Sequence, residues 1–128
     1  MNRYSLTESL DAGARFPERR TVPRYALVAS IEIFEPITNT RIAGETSEIS
    51  VKGCYMVTSS PLAINTVVQL RVQRAGSTFE TWGRIANIQE RTGMGLAFFQ
   101  SRSEQEKVIA GWITELSSQG EQSAVRNS

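Results

Sequence analysis

Apolar and polar residues alternate between residues 25 and 99, which is the pattern of β-strands with one buried face. Turn-forming residues interrupt the alternation and divide it into six predicted strands: residues 25–33, 42–49, 54–58, 68–73, 79–88 and 94–99. Gly83, in the middle of the fifth strand, is predicted to mark a bend or bulge that helps the sheet to curl. So many short strands in a small domain predict an antiparallel barrel, because a closed sheet has no exposed edges.

A helical pattern replaces this alternation at the end of the chain. Ser103 and Glu106 have the spacing of a capping box. The apolar residues that follow recur at intervals of one, three and four, which places them on one face of a helix: Val108, Ile109, Trp112, Ile113 and Leu116. We expect this face to pack against one open end or side of the barrel, with a partner-binding helix as the alternative.

The predicted fold is therefore all-β with a C-terminal helix: a small six-stranded antiparallel β-barrel closed by one α-helix. The chain has 128 residues, of which 40% are hydrophobic, and this is enough for one domain. We expect the domain to span residues 18–117, with a mobile leader at 1–17 and a disordered tail at 118–128, since both ends are polar. Because no apolar run approaches the ~20 residues of a membrane span and the first residues lack a signal peptide's apolar core, a cytoplasmic location is expected.

The composition limits the possible chemistry. Without histidine and with a single cysteine, the chain cannot form a Ser-His-Asp or Cys-His site or supply the usual zinc ligands, so we expect no enzyme and no metal. Cys54 follows Gly53 in an apolar run and is predicted to be a small buried hydrophobe. The formal net charge of +1 argues against a broad basic face for long nucleic acids.

Positive charge is instead concentrated in residues 19–24, with the sequence RRTVPR. Because the proline at position 23 excludes a continuing helix, the guanidinium groups are predicted to lie on an extended arm or tight turn. Such groups form paired hydrogen bonds with phosphate oxygens or with the O6/N7 edge of guanine. Residues 48–53, EISVKG, add a carboxylate, a hydroxyl and a permissive glycine. The two segments together favour a small ligand that carries both negative charge and base edges.

These segments resemble the paired signature of PilZ domains, R-x-x-x-R followed by [D/N]-x-S-x-x-G. Arg20, Arg24, Ser50 and Gly53 match it, and Glu48 does not. The order of the motifs, the strand pattern after them and the late segment GMGLAF at 93–98 are also similar to that family. The resemblance implies a receptor for cyclic di-GMP, with these ligand-binding residues: Arg19, Arg20, Arg24, Glu48, Ser50 and Gly53. In the family, the residue before the first motif often affects how many ligands bind, and here it is Arg19.

Each of these residues has a role that fits the chemistry of the ligand. Arg20 and Arg24 are expected to stack on a guanine or bridge to the phosphates, while Glu48 accepts from guanine N1–H and N2–H. Glutamate in place of aspartate or asparagine keeps an acceptor but adds a methylene group and a rotor. If the longer side chain misplaces its hydrogen bonds with guanine, the binding free energy would fall by about 1–3 kcal/mol, or roughly ten- to a hundredfold in affinity.

Three functions remain open at this point. The first is a cyclic di-GMP receptor or adaptor that changes conformation on binding and signals through a protein partner, without a cofactor. The second is a ligand-independent PilZ-like adaptor of the pilus or motility type, in which Glu48 marks lost binding. The third, a small-barrel nucleic-acid binder that uses arginines and aromatics, is the least expected of the three.

Overall fold

The computed structural model describes residues 22–89 and 91–127, with side chains through residue 119. It contains seven strands and one helix: β1 (Tyr25–Ala26), β2 (Ser30–Glu35), β3 (Thr40–Ile49), β4 (Gly53–Val57), β5 (Val67–Arg74), β6 (Ser77–Gln89), β7 (Gly93–Phe99) and α1 (Ser103–Asn127). All pairings are antiparallel, and six strands close a ring in the order β2-β5-β6-β7-β4-β3. The predicted six-stranded barrel with a C-terminal helix is confirmed.

The first predicted strand is divided, because β1 is a separate two-residue strand that pairs with the end of β3. The hydroxyl of Thr46 explains the interruption. This side chain is buried, accepts a hydrogen bond from Ala29 N at 3.0 Å and donates one to Leu27 O at 2.6 Å. One side chain thus satisfies backbone groups that would otherwise need a partner in the ladder.

The core fills the barrel and continues under the helix. Its buried apolar side chains come from the inward positions of the strands and from Ile109, Trp112 and Leu116 of α1. Phe79 is fully buried at the junction, and its ring makes edge contacts with Phe98, at 5.1 Å between centroids, and with Trp112, at 6.3 Å. The apolar face of the helix therefore packs against the barrel, as predicted.

The structure also differs from the sequence-based prediction at Gly83. The bulge in β6 lies between Ile85 and Asn87, whereas Gly83 keeps regular register with Val68 and Phe98. A Cβ at Gly83 would lie 2.8 Å from Leu70 Cδ2, so this glycine serves close packing instead of a bend. The helix α1 continues as far as Asn127, and the boundaries predicted for the domain and its ends stay a prediction.

The hairpin between β2 and β3 is fixed by a buried carboxylate. Glu35 is 6% exposed and accepts hydrogen bonds from Ile37 N and Thr38 N, both at 2.8 Å, and from the Thr38 hydroxyl. These bonds favour the ionised form, so they hold the pKa of Glu35 below its ordinary value, with the Thr38 hydroxyl as the largest cause.

This lowered pKa predicts an acid-sensitive contribution to stability. The contribution is present above the unfolded-state pKa of about 4.3 and is lost as the pH falls through the lower folded-state value. We expect Glu35→Gln to lower the free energy of unfolding at pH 7, and the difference from wild type to shrink toward pH 3. Urea unfolding at both pH values measures this, with the exposed Glu45→Gln as the control. A difference for Glu35→Gln that does not change with pH would contradict the assignment.

Candidate functional site

A groove of about 890 Å³ lies on the outer surface of β4, β7 and the second half of β6. Its rim on one side is formed by the end of β3, the loop that follows and the chain just before β1. The second predicted motif borders this groove, together with Arg24 of the first motif. Two segments that are distant in sequence therefore meet at one cavity.

Arg24 and Glu48 form an ion pair at the rim, with Arg24 Nη1 3.5 Å from Glu48 Oε1. The pairing of β1 with β3 brings them together, since Ala26 lies directly opposite Glu48. Their side chains are 68% and 48% exposed, so the pair contributes little to stability and both groups can exchange this contact for a ligand. The extra methylene of Glu48 thus leaves its carboxylate within reach of a motif arginine.

The hydroxyl of Ser50 is directed into its own loop. Ser50 is 7% exposed, and its Oγ accepts hydrogen bonds from Lys52 N and Gly53 N, both at 3.1 Å. Its backbone N also donates to Gly53 O at 2.8 Å. This serine shapes the loop between β3 and β4. The loop exposes Val51 and Lys52, and Lys52 borders the groove.

Gly53 is required by a neighbouring strand. A Cβ at this position would lie 2.2 Å from the carbonyl oxygen of Leu96 on β7, much closer than any side chain can approach. Gly53 pairs with Ala97 in the ladder between β4 and β7, and both border the groove. The glycine therefore allows the close approach of a backbone, as its residue type suggested. The backbone that approaches is that of β7.

The other two predicted ligand-binding residues, Arg19 and Arg20, lie outside the residues that the structure describes. Val22 is the first described residue, and it lines the groove next to Arg24. The structure thus brings together Arg24, Glu48, Ser50 and Gly53 and leaves the positions of the other two arginines as a prediction.

Four further polar residues on the groove were missed from the sequence: Ser47, Tyr55, Asn87 and Gln89. Tyr55 donates a hydrogen bond from its hydroxyl to Gln89 Oε1 at 2.9 Å. Asn87 follows the bulge in β6 and lies beside Gly95 of β7. The nearby glycines at 93 and 95 were the available signal, because small residues on an outer strand face leave room for a ligand or a neighbouring side chain.

Cys54 lies beneath the groove and faces the core. Burial raises the pKa of its thiol to about 12, so the sulfur stays protonated and unreactive near neutral pH. This agrees with the prediction of a small buried hydrophobe.

A smaller cleft of about 430 Å³ lies on a different face, over β2, β5 and the first half of β6. Here the Arg41 guanidinium lies 4.5 Å from the centre of the Phe34 ring. Arg71 is neutralised by Glu80, at 2.8 Å, and by Glu32, at 3.6 Å. Because none of the described residues of the two motifs lines this cleft, it is a weaker candidate for the predicted ligand than the groove.

Neither a metal centre nor a membrane helix is found in the described part of the chain. Within residues 22–89 and 91–127, no three His, Cys, Asp or Glu side chains are grouped so that they could bind a metal ion. Over the same residues, no helix combines the length and apolar character needed to cross a bilayer.

Comparison with known sequences supports the motif assignment. A sequence-family model for the PilZ domain matches residues 18–115, which confirms the resemblance carried by the two motifs. No curated protein sequence matches the chain.

Solved structures show the same fold at low sequence identity. The PilZ domain of YcgR from Escherichia coli, solved with c-di-GMP, is 16% identical with a TM-score of 0.68, and the match covers 83% of this chain and 97% of that one. The PilZ domain of CeSA from a cellulose synthesizing bacterium is 18% identical, with a TM-score of 0.60 and coverage of 74% and 98%. The MrkH–c-di-GMP complex of K. pneumonia is 14% identical, with a TM-score of 0.69, and this chain covers 55% of its length.

Proposed function

We propose, from the premise that this chain belongs to the PilZ domain family, that it is a receptor or adaptor that binds cyclic di-GMP and carries out no catalysis. The observation that carries the proposal is the placement of Arg24 and Glu48, 3.5 Å apart, at the rim of a groove of about 890 Å³. A guanidinium and a carboxylate at one rim are complementary to a ligand that offers phosphate oxygens and guanine N–H groups.

Binding requires the Arg24–Glu48 ion pair to be exchanged for contacts with the ligand. The arginine then pairs with a phosphate or stacks on a base, and the carboxylate accepts from guanine N1–H and N2–H. Lys52 adds a second positive charge on the groove and supports the binding of a dianion. The resemblance assigns Arg20, the first arginine of the motif, and Arg19, the residue before it, to the same ligand.

We infer that the receptor changes conformation on ligand binding and that a protein partner reads the change. Because the ligand is a bacterial second messenger, we place the protein in the bacterial cytoplasm. The neighbouring structures with c-di-GMP, those of YcgR and MrkH, support the choice of ligand, although each resembles this chain only in fold.

A ligand-independent adaptor is the second candidate, and one observation favours it. The motif carboxylate is a glutamate that already reaches and neutralises Arg24. If Arg24 and Glu48 stay paired with each other, neither needs a nucleotide as a partner, and the barrel surface would bind a protein partner in the absence of ligand.

Calorimetric titration with cyclic di-GMP at about 0.15 M salt tests the proposal. We expect saturable binding with a Kd in the micromolar range or below, weakened about 10- to 100-fold in Arg24→Ala and in Arg20→Ala, because each removes charge-assisted hydrogen bonds. Glu48→Asp, which restores the family residue, is expected to strengthen binding.

Arg41→Ala is the matched control, since it removes an exposed arginine from a different face of the barrel. We expect its Kd to stay within about twofold of wild type. Absence of heat and of a melting shift at millimolar ligand, for wild type and for Glu48→Asp alike, would reject the receptor and favour the adaptor.

A further inference from the structure

A row of outward side chains crosses four strands at the smaller cleft, the one over β2, β5 and the first half of β6. Arg41 of β3 pairs with Phe34 of β2, and Phe34 pairs with Gln69 of β5. Gln69 in turn pairs with Trp82 of β6. Directly opposed residues of an antiparallel sheet point to the same side, and all four line the cleft. Arg41 and Trp82 end the row three strand spacings apart, about 14 Å along the sheet.

The row carries two aromatic side chains that do not belong to the core. Phe34 and Trp82 are half-buried on the outside of the barrel, whereas Ile33 and Leu70, on the opposite face of the sheet, are buried in the core. Aromatic residues and arginine are enriched in protein interfaces, and tryptophan and arginine contribute much of the binding energy there. The row therefore has the composition of a surface that binds a protein.

The Arg41 guanidinium is oriented before any partner binds. It lies 4.5 Å from the centre of the Phe34 ring, and this cation–π contact favours one arrangement of a long side chain. Among the described residues Arg41 forms no ion pair, and the same holds for Arg102, which lines the cleft just before α1. A guanidinium stacked on a ring keeps its N–H edge open for paired hydrogen bonds with a carboxylate.

The charges of the cleft favour a partner with isolated carboxylates over a nucleic acid. Three arginines and two glutamates line it, and both glutamates, Glu32 and Glu80, contact Arg71. The arginines that remain, Arg41 and Arg102, attract an acidic group. A single-stranded nucleic acid carries a phosphate at every residue and would also meet both glutamates, whereas a peptide can place one carboxylate on Arg41 and none beside Glu80.

We propose that this cleft is the docking site of the protein partner and that it binds an extended acidic segment, with a carboxylate on Arg41 and a large apolar side chain on Trp82. The inference rests on the proposed function only in that it assumes a protein partner. The cleft and the groove share no described residue, so the partner and the nucleotide use different faces of the barrel.

The length of the row sets the spacing of the two side chains in the partner. An extended chain advances about 3.3 Å per residue, so about four residues separate the carboxylate from the apolar side chain. A helix rises only about 1.5 Å per residue, and residues four apart on it are too close together to reach both ends of the row. Gln69, in the middle, can donate to and accept from the backbone of an extended segment.

Selection of random dodecapeptides displayed on phage, with the full chain as bait, tests this inference. We expect the enriched peptides to share an aspartate or glutamate and a large apolar residue about four positions apart. Fluorescence polarisation of these peptides is expected to show a Kd about tenfold or more higher for Arg41→Ala and for Trp82→Ala than for wild type, because each variant lacks one of the two anchoring contacts. Melting temperatures near wild type would show that both variants are folded.

Arg84→Ala is the matched control. Arg84 follows Trp82 by two residues on the same outward face of β6, donates to Asn65 Oδ1 at 3.3 Å, and lines neither the cleft nor the groove. We expect this variant to bind the enriched peptides as wild type does. Peptides without a shared acidic residue, no enrichment at all, or an equal loss of affinity in Arg84→Ala and Arg41→Ala would overturn the inference. Binding of oligouridylate that is lost in Trp82→Ala would also overturn it and assign the cleft to single-stranded nucleic acid.

Titration of the same proteins with cyclic di-GMP separates this inference from the proposed receptor. Arg24→Ala is expected to lose affinity for the nucleotide and to keep its affinity for the enriched peptides, and Arg41→Ala is expected to do the reverse. If wild type bound the acidic peptides through Arg41 and Trp82 but did not bind cyclic di-GMP, the receptor would be rejected and the docking site upheld. If wild type bound the nucleotide and the peptide affinity did not depend on Arg41 and Trp82, the docking site alone would be rejected.

Discussion

Phe79→Ala is expected to lower the free energy of unfolding by about 3–5 kcal/mol, because it leaves a cavity where the barrel meets the helix. Phe79 is fully buried and its ring contacts Phe98 and Trp112 edge to face. Urea unfolding, followed by far-UV circular dichroism and by tryptophan fluorescence, measures the change. Since Trp112 borders the cavity, its emission is also expected to shift in the folded variant.

Phe34→Ala is the matched control, because Phe34 is half-buried on the outer surface of β2 under Arg41. We expect this variant to lose about 1 kcal/mol, the usual effect of a substitution outside the core. Equal losses in the two variants would show that the junction between the barrel and α1 is not the centre of the core.

Gly53→Ala is expected to destabilise the barrel by about 3 kcal/mol or more, because the added methyl group would meet the Leu96 carbonyl oxygen at 2.2 Å. That oxygen belongs to the backbone of β7 and cannot rotate away, so β4 and β7 must separate near the groove. The measurement is the midpoint and slope of urea unfolding, together with calorimetric titration of cyclic di-GMP.

Gly111→Ala provides the opposite control. Gly111 lies exposed in the middle of α1, and a Cβ there would meet no atom within 4 Å. Alanine is the better helix former, so we expect a gain of up to about 1 kcal/mol. If Gly53→Ala kept wild-type stability and lost only the ligand, Gly53 would serve the approach of the nucleotide instead of the approach of two strands.

The parts of the fold that follow local rules could be predicted from the sequence. Alternation along β5 and the helical spacing after Ser103 depend only on residues close in the chain, and both elements form as expected. The division between β1 and β2 could not be predicted, because it depends on the hydroxyl of Thr46, which reaches Leu27 and Ala29 from another strand. The bulge in β6 was also hidden, because no glycine or proline marks Ala86.

Prediction of the candidate site from the sequence was limited in the same way. Arg24 and Glu48 belong to motifs with recognisable spacing, and the structure places them together. Asn87 comes from a strand nearly forty residues later, and it joins the groove only through the register of three strand pairs and one bulge. The inward hydroxyl of Ser50 is likewise a matter of loop geometry, because a serine in a motif does not reveal which way its side chain points.

The two-residue strand β1 has a further consequence for the affinity of the site. Ala26 sits opposite Glu48, and Thr46 holds the chain that follows, so Arg24 is tethered within a few ångströms of the groove in the folded protein. The tether gives this guanidinium a high effective concentration at the groove before any ligand binds. A ligand that contacts Arg24 therefore has less backbone entropy to remove than it would in a free chain, and more of the contact energy remains for binding.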